Sequence, residues 1–430
     1  MNKQWFKEIQ ELVAAGILTE ETAQNIVSYY QLKKENEPNR FTIVLAILGA
    51  LLVGSGIILI IAHNWDDLSR LIKTIVAFLP LVLGQSLCLY TLLKQKQNAA
   101  WRECSSVLLF FAIGGCISII SQVYNISGSL TGFLLTWILL ALPLVYLLSS
   151  STVALLCIAG ITWYAIELGN FDRVIGIPYM YVVTMALVAP HYYYLYKTRP
   201  ASNYISLLNW MLCLSLTITL RSFITNPIGY EWVLLLYLVL FCIFYYVGRF
   251  SFFEERNRMA NSFRLLGVSG TLFILFLSSF NLTWKQFDID EQSNIFFILI
   301  PFICIVCYLV WNDFRRRHIK MQEPTGFSFI IFILAIHSAY FSVSLSVFVV
   351  NAWLILIAIY YMRKGSKEDH LGVLNFGLSI MAILAICRFF DSSIDFIWRG
   401  MFFIITGLGF FLANYFLLRK RRQRHKLINT

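Results

Sequence analysis

The sequence predicts an all-α, polytopic α-helical integral membrane protein with about fourteen transmembrane helices, preceded by a short cytoplasmic helical hairpin. Composition is the first reason, because 59% of the 430 residues are hydrophobic and only 13% are charged. Soluble chains are roughly half apolar and about a quarter charged. The apolar residues also occur in long runs, and a run of about 20 residues crosses the hydrocarbon layer as a helix. A strand facing lipid would instead alternate apolar and polar residues.

The predicted transmembrane domain covers residues 41–418, between an amphipathic arm with its linker (1–40) and a basic tail (419–430). Its apolar runs are residues 42–62, 71–93, 105–123, 131–148, 152–167, 175–196, 204–220, 231–248, 264–281, 294–312, 327–342, 346–362, 371–388 and 398–418. The stretch 327–362 is too long for one ordinary span and is basic on both flanks. We therefore expect a hairpin that turns near Ser342–Ser346, with a re-entrant pair as the alternative.

The distribution of positive charge predicts the orientation. When both termini are placed in the cytoplasm, 27 of the 34 Lys and Arg residues fall on the cytoplasmic side and seven on the other. Basic residues concentrate in the cytoplasmic segments of multi-pass proteins. The opening segment lacks the apolar core of a signal peptide, so we expect the first span to remain in the mature protein.

The N-terminal arm has the pattern of two short amphipathic helices. Leu12 and Val13 follow helical spacing, and Gly16 suits a helix C-terminus. Thr19 suits the N-cap of a second helix whose first turn is acidic. A hairpin of this size cannot hold itself together alone. We expect it to pack on the membrane domain, to pack on a protein partner, or to lie in the membrane interface.

Two polar segments at the outer ends of the first and third predicted spans form the candidate binding site. Their residues are His63, Asn64, Trp65, Asp66, Asp67, Gln122, Tyr124 and Asn125. The predicted orientation places both segments on the external face, and the glycines of the first span would let neighbouring helices approach closely. We therefore expect an external polar pocket for a sugar, a lipid headgroup or a small solute.

A purely structural interpretation of the first segment stays open. Trp65 suits the aromatic belt at the membrane interface. Asp66 could cap the next helix or pair with Arg70 four residues later. In that case the segment ends one span and begins the next without binding a ligand.

Soluble-enzyme motifs are absent from the sequence, which has no GxxxxGK[ST] phosphate loop, no HExxH zinc motif and no GxSxG turn. We therefore expect no enzyme, no cofactor and no metal site, although His63, Asp66 and Asp67 would be the leading acid–base candidates. Polar residues within the spans, such as Asn209 and His191, are expected to hydrogen-bond between helices. No Asp or Glu lies in the middle of a predicted span, so ion-coupled transport has no obvious carboxylate.

Three segments carry a family resemblance. Gly16–Glu21 reads GILTEE, Gly49–Trp65 is a glycine-rich span ending in Ala-His-Asn-Trp, and Gln122–Gly128 reads QVYNISG. Together they resemble the bacterial membrane proteins of the domain-of-unknown-function 2157 family, over about residues 1–150. The resemblance implies a multi-pass protein of the bacterial cytoplasmic membrane and implies no biochemical activity.

Three functions follow as alternatives. The first is transport or flipping of a small solute or a lipid-linked envelope precursor. The second is a non-transporting scaffold, sensor or assembly factor, and the third is an intramembrane enzyme. The expected partners are membrane lipids, with anionic headgroups at the cytoplasmic Arg/Lys clusters, and a protein at the N-terminal hairpin, whereas nucleic acid is not expected.

Overall fold

The computed structural model describes a large part of the chain. The ranges are residues 11–35, 65–169, 176–200, 202–224, 229–254, 261–284, 295–317 and 323–389, with eight further residues between 397 and 411. All regular elements in these ranges are helical, which confirms the all-α part of the predicted fold class. The predicted first span (42–62), most of the last (398–418) and the tail (419–430) lie outside the described residues.

Thirteen described helices of more than one turn follow each other along the chain. The first seven are α1 (Glu20–Glu35), α2 (Arg70–Lys94), α3 (Ala99–Val123), α4 (Leu130–Leu147), α5 (Ser151–Leu168), α6 (Tyr179–Thr198) and α7 (Asn203–Thr219). The last six are α8 (Tyr230–Val247), α9 (Ser262–Leu277), α10 (Ile295–Arg317), α11 (Ser328–Ala339), α12 (Val343–Lys367) and α13 (Leu371–Phe389). Short helical turns at Leu220–Phe223, Ser251–Glu254, Asn281–Trp284 and Pro324–Phe327 lie between them.

Nine of these helices are long and apolar enough to cross a membrane, counting only the described residues. They are α2, α3, α4, α5, α7, α8, α10, α12 and α13, while α9 and α11 are shorter apolar helices. The chain therefore has the multi-pass character that its hydropathy pattern predicts.

The chain divides into two compact units between Val76 and Ala77. In the first unit, Gly16 has a φ of +71°, a left-handed conformation that costs glycine little because it has no Cβ. The hydroxyl of Thr19 accepts the N–H of Thr22 at 3.4 Å just before α1, as expected for an N-cap. The local start and stop signals in this segment are therefore where the sequence places them.

The second unit is built around two hydrophobic cores. One lies among α2–α7 and includes the fully buried Ile138 and Ile161. The other lies among α8–α13 and includes Phe332 and Leu354. Helix α7 connects the two, because its Cys213 packs into the second core.

Helices α11 and α12 form the hairpin predicted within 327–362, but the turn comes slightly earlier than expected. The helices are separated at Tyr340–Ser342, and α12 already begins at Val343. The Ser346 hydroxyl donates to the Ala335 carbonyl at 2.8 Å and lies 3.0 Å from the Ser338 hydroxyl. Because these bonds satisfy Ser346 inside a helix, the segment after Ser342 does not need to form the turn.

Two glycines allow very close contacts between helices of the α8–α13 core. A Cβ at Gly267 in α9 would lie 2.4 Å from the backbone nitrogen of Tyr245 in α8. A Cβ at Gly365 in α12 would lie 2.4 Å from the backbone nitrogen of Leu374 in α13. Contacts this short leave no room for a side chain, and they fix the backbone beside Tyr245 and Lys364.

Candidate functional site

A buried carboxylate, Glu323, lies where the ends of α8, α9 and α12 meet. It directly precedes the turn Pro324–Phe327 and is only 4% exposed. The last turns of α8 and α12 and the first turn of α9 direct polar side chains towards it. This cluster is the candidate functional site.

Four donors surround the Glu323 carboxylate. Its Oε1 lies 2.6 Å from Lys364 Nζ and 3.1 Å from Arg264 Nη2. Its Oε2 accepts the phenol hydroxyls of Tyr245 at 3.0 Å and Tyr361 at 3.2 Å. One oxygen thus contacts two cations and the other contacts two neutral donors, which together meet the acceptor capacity of a carboxylate.

The network continues to a second ion pair, between Arg249 and Asp313. Arg249 Nη1 donates to the Tyr245 hydroxyl at 2.6 Å, and its Nη2 lies 3.1 Å from Asp313 Oδ2. The side chains of Arg249 and Asp313 are 8% and 10% exposed. Tyr245 therefore links a buried ion pair at the ends of α8 and α10 to the Glu323 cluster.

The connection between α8 and α9 positions Arg264. Asn261 Nδ2 donates to the carbonyls of Gly248 at 2.8 Å and Phe253 at 3.0 Å. Its Oδ1 accepts the N–H of Arg264 at 3.0 Å and thereby caps α9. One buried asparagine thus fixes both the end of α8 and the start of α9, which carries the cation.

A cavity of about 540 Å³ opens beside Glu323 between α9, α12 and α13. Its lining combines charged and apolar groups: Asn261, Arg264, Leu265, Val268, Ser269, Glu323, Tyr361, Lys364, Glu368, Gly372, Val373 and Phe376. The volume is in the range of small-molecule sites, and such sites are mostly apolar with a few placed polar groups. The cavity can therefore take a molecule with a charged end and an apolar body.

The electrostatics of the cluster favour an ionised Glu323. Burial alone would raise the pKa of this carboxyl, but Arg264 and Lys364 outweigh burial and lower the pKa to about 2. Among the described residues, the network contains three cations, Arg249, Arg264 and Lys364, and two carboxylates, Glu323 and Asp313. It therefore carries one excess positive charge, and the exposed Glu368 lies at the cavity that this charge faces.

The first predicted site segment lies partly outside the described residues, which include neither His63 nor Asn64. Trp65 is half-buried, and Asp66 and Asp67 are exposed in a turn before α2. Ser69, rather than Asp66, caps α2, because its hydroxyl accepts the N–H of Ile72 at 3.4 Å. Ser69 directly precedes Arg70, the first residue of α2, whereas Asp66 lies four residues before the helix and outside the N-cap position.

The second predicted segment forms a turn at the end of α3. Gln122, Tyr124 and Asn125 are exposed there, and Asn125 has a φ of 50°. The Ile126 N–H donates to the Ser121 carbonyl at 2.9 Å and closes the turn. This segment lies in the second unit and Trp65–Asp67 in the first, so a pocket shared by the two remains a prediction.

Two of the polar residues inside the spans, Asn209 and His191, bond between helices as predicted. Tyr192 of α6 donates to Asn209 Oδ1 of α7 at 2.8 Å. His191 Nε2 lies 3.2 Å from the Ser151 hydroxyl of α5, and both side chains are buried. These contacts confirm the interhelical role that the sequence suggested for Asn209 and His191.

The sequence does not identify the Glu323 cluster, because Glu323 falls in the short loop between the predicted spans 294–312 and 327–342, where charge is normally solvated. One local signal exists: Glu323 ends a strongly basic segment and is followed directly by Pro324 and an apolar run. Its cationic partners, however, are 59 and 41 residues away in the chain. Spacing along the sequence contains no information about contacts over such separations.

Comparison with known proteins bears on the first part of the chain. Residues 10–154 match the model of a family described as a predicted membrane protein, DUF2157. This match confirms the resemblance seen in the segments around Gly16, Gly49 and Gln122. No curated protein and no solved structure matches the chain.

Proposed function

We propose that this protein moves an amphipathic solute, such as a lipid-linked envelope precursor, and that the solute enters at the cavity beside Glu323. The observation that supports this proposal is the composition of the cavity. Its lining combines the cationic side chains of Arg264 and Lys364 with apolar side chains of α9 and α13. A site of this kind in a multi-pass bundle suits a molecule that is polar at one end and soluble in lipid at the other.

The proposal includes the finer topology that the charge distribution predicts. Both termini are in the cytoplasm of a bacterial cell, about fourteen helices cross the inner membrane, and the N-terminal hairpin lies on the cytoplasmic side. The cavity then opens at the cytoplasmic surface, where lipid-linked precursors are assembled and where basic side chains attract anionic headgroups. No catalytic step is part of the proposal, and a protein partner at the hairpin would regulate rather than perform transport.

Lipid movement in proteoliposomes tests the proposal. The purified protein is reconstituted with a trace of fluorescently labelled phosphatidylglycerol, and the fraction accessible to an external quencher is followed with time. We expect faster exchange between leaflets than in protein-free vesicles. Val373→Trp places a bulky side chain in the cavity and should reduce the rate of lipid exchange to that of protein-free vesicles.

Lys367→Gln is the matched control, because Lys367 lies one turn beyond Lys364 on α12 but is exposed and outside the cavity. This variant should exchange lipid at the wild-type rate. Equal rates in wild-type, Val373→Trp and protein-free vesicles would contradict transport of this class of lipid.

A non-transporting sensor is the second candidate, and the close helix packing supports it. The backbones of α8 and α9 touch at Gly267, and those of α12 and α13 touch at Gly365. Alternating access would require helices next to the cavity to move, whereas a sensor needs only to bind its ligand at one face. Binding of lipid without exchange between leaflets would favour this candidate.

A further inference from the structure

We propose that Glu323 is an exchangeable counterion and that the ligand of this cavity is an amphiphile with a phosphate headgroup, whose phosphate replaces the Glu323 carboxylate at Arg264 and Lys364. The inference rests on the proposed function for the presence of a ligand. It adds the chemical class of the headgroup and the residue that competes with it. Four features of the site support it.

The first feature is that a single carboxylate oxygen, Glu323 Oε1, contacts both cations that would bind the phosphate. Lys364 and Arg264 both approach Glu323 Oε1, at 2.6 and 3.1 Å. A phosphate offers several oxygens to the same two donors and forms strong charge-assisted bonds with them, bidentate with arginine. Exchange therefore replaces two contacts at one oxygen with contacts at separate oxygens.

The second feature is access. The Glu323 side chain is 5% exposed, whereas those of Arg264 and Lys364 are 37% and 27% exposed. Both cations line the cavity, so a ligand can reach them without unfolding the bundle. Long cationic side chains can also follow a ligand over a short distance, because their methylene stems are flexible.

The third feature is that Glu323 keeps other partners when it loses the cations. Its Oε2 accepts the hydroxyls of Tyr245 and Tyr361, and Thr325 lies 3.0 Å from the Tyr361 hydroxyl. Arg249 holds Tyr245 from the other side at 2.6 Å. The displaced carboxylate therefore remains hydrogen-bonded inside the protein, which lowers the cost of exchange.

The fourth feature is the apolar wall, which selects an amphiphile over a free phosphate. Leu265 and Val268 of α9 and Val373 and Phe376 of α13 line the same cavity as the charged groups. Burying acyl or prenyl methylenes there contributes favourable free energy that an inorganic ion cannot gain. A phosphate-headed lipid should consequently bind more tightly than phosphate itself.

Equilibrium binding to the full-length protein in nanodiscs tests the proposal. The probes are phosphatidic acid and phosphatidylglycerol, with phosphatidylcholine as the lipid of no net charge and inorganic phosphate as the tail-free anion. Arg264→Gln and Lys364→Gln should each weaken binding of the two anionic lipids by about tenfold. Glu323→Gln should strengthen it several-fold, because the competing carboxylate is gone. Lys367→Gln is the control and should bind like wild type.

The direction of the Glu323→Gln effect decides whether exchange occurs. Weaker or unchanged binding in this variant, together with loss in Arg264→Gln, would overturn exchange and make Glu323 a fixed part of the site. If Glu323→Gln does not fold, Val373→Trp is the second variant, and it tests whether the ligand has an apolar part. It should abolish lipid binding yet leave phosphate binding unchanged, and the loss of both or of neither would contradict the apolar-wall assignment.

The outcome is separable from that of the transport proposal. Tight, Arg264-dependent lipid binding without exchange between leaflets would retain the counterion inference and remove transport. Exchange that does not depend on Arg264 or Lys364 would retain transport and remove this inference. Equal affinity for phosphatidic acid and inorganic phosphate would identify a free anion, rather than a lipid, as the ligand.

Discussion

Glu103 and Glu323 lie in different halves of the second unit, and different kinds of donor hold them. Glu103 in α3 accepts the Ser150 hydroxyl at 2.5 Å and the backbone N–H groups of Ser151 and Thr152, both at 3.0 Å. Those N–H groups form the start of α5, where the helix dipole also favours an anion. Glu103 therefore works as a cap supplied by a neighbouring helix.

Among the described residues, the donors to the Glu323 carboxylate are side chains, and two of these four donors are cations that line a cavity. Backbone donors are fixed by the helix and cannot follow another ligand, whereas lysine and arginine side chains can. The two sites lie towards the same end of the bundle. Glu103 lies near the end of α6 and Glu323 near the end of α8. These two helix ends are in contact, because Tyr196 of α6 packs on Phe252 just after α8, with ring centroids 4.3 Å apart. The difference in donors therefore separates a structural carboxylate from one that can be exchanged.

The largest expected effect concerns the ion pair behind the Glu323 cluster. Arg249→Ala removes the cation beside Asp313, whose side chain is 10% exposed, and it also removes a donor to Tyr245. Breaking a buried pair typically costs about 3–5 kcal/mol. Thermal unfolding in detergent should show this loss, whereas Arg264→Ala at a 37% exposed side chain should cost clearly less. Equal losses would mean that the cavity cations are as structural as Arg249.

The second effect is the pH dependence of stability through Glu323. Its pKa is lowered from 4.5 to about 2 in the folded protein. The stabilisation is therefore complete above about pH 4.5 and is lost as the pH falls towards 2, with an upper bound of about 3 kcal/mol. Melting temperatures between pH 6 and pH 3 should fall more steeply for wild type than for Glu323→Gln. Lys367→Gln should keep the wild-type slope, and parallel curves for all three would contradict the assignment.

The two glutamates also show what the sequence could predict. Apolar run lengths predicted every described helix from α2 to α13, because span length is set by the bilayer and is readable locally. Cap residues such as Thr19 and Gly16 were equally local. The Glu323 site depends instead on Arg264 and Lys364 arriving from other helices, and close packing at Gly267 and Gly365 determines where they arrive. The predicted outer site also requires two segments that are distant in the chain, Trp65–Asp67 and Gln122–Asn125, to come together. It stays a prediction.

A third, smaller effect tests the structural role of Glu103. Glu103→Gln keeps one acceptor oxygen and loses the other, together with the charge at the start of α5. We expect a loss of about 1–2 kcal/mol in unfolding free energy and no change in the binding of phosphatidic acid. A change in lipid affinity as large as that of Arg264→Gln would place Glu103 in the ligand site and remove the distinction between the two glutamates.

The smallest effect concerns Glu368, the exposed acid in the lining of the cavity. Its charge opposes an anionic ligand, so Glu368→Gln should strengthen binding of phosphatidic acid. Exposed charges contribute about 0–1 kcal/mol, which corresponds to a gain of at most about fivefold, and the gain should shrink at high salt. Asp369→Asn is the matched control, because Asp369 is an adjacent exposed acid outside the lining and its φ of 55° suits asparagine. Equal gains in both variants would attribute the effect to general surface charge, whereas a gain in Glu368→Gln alone would show that the anion binds beside Lys364.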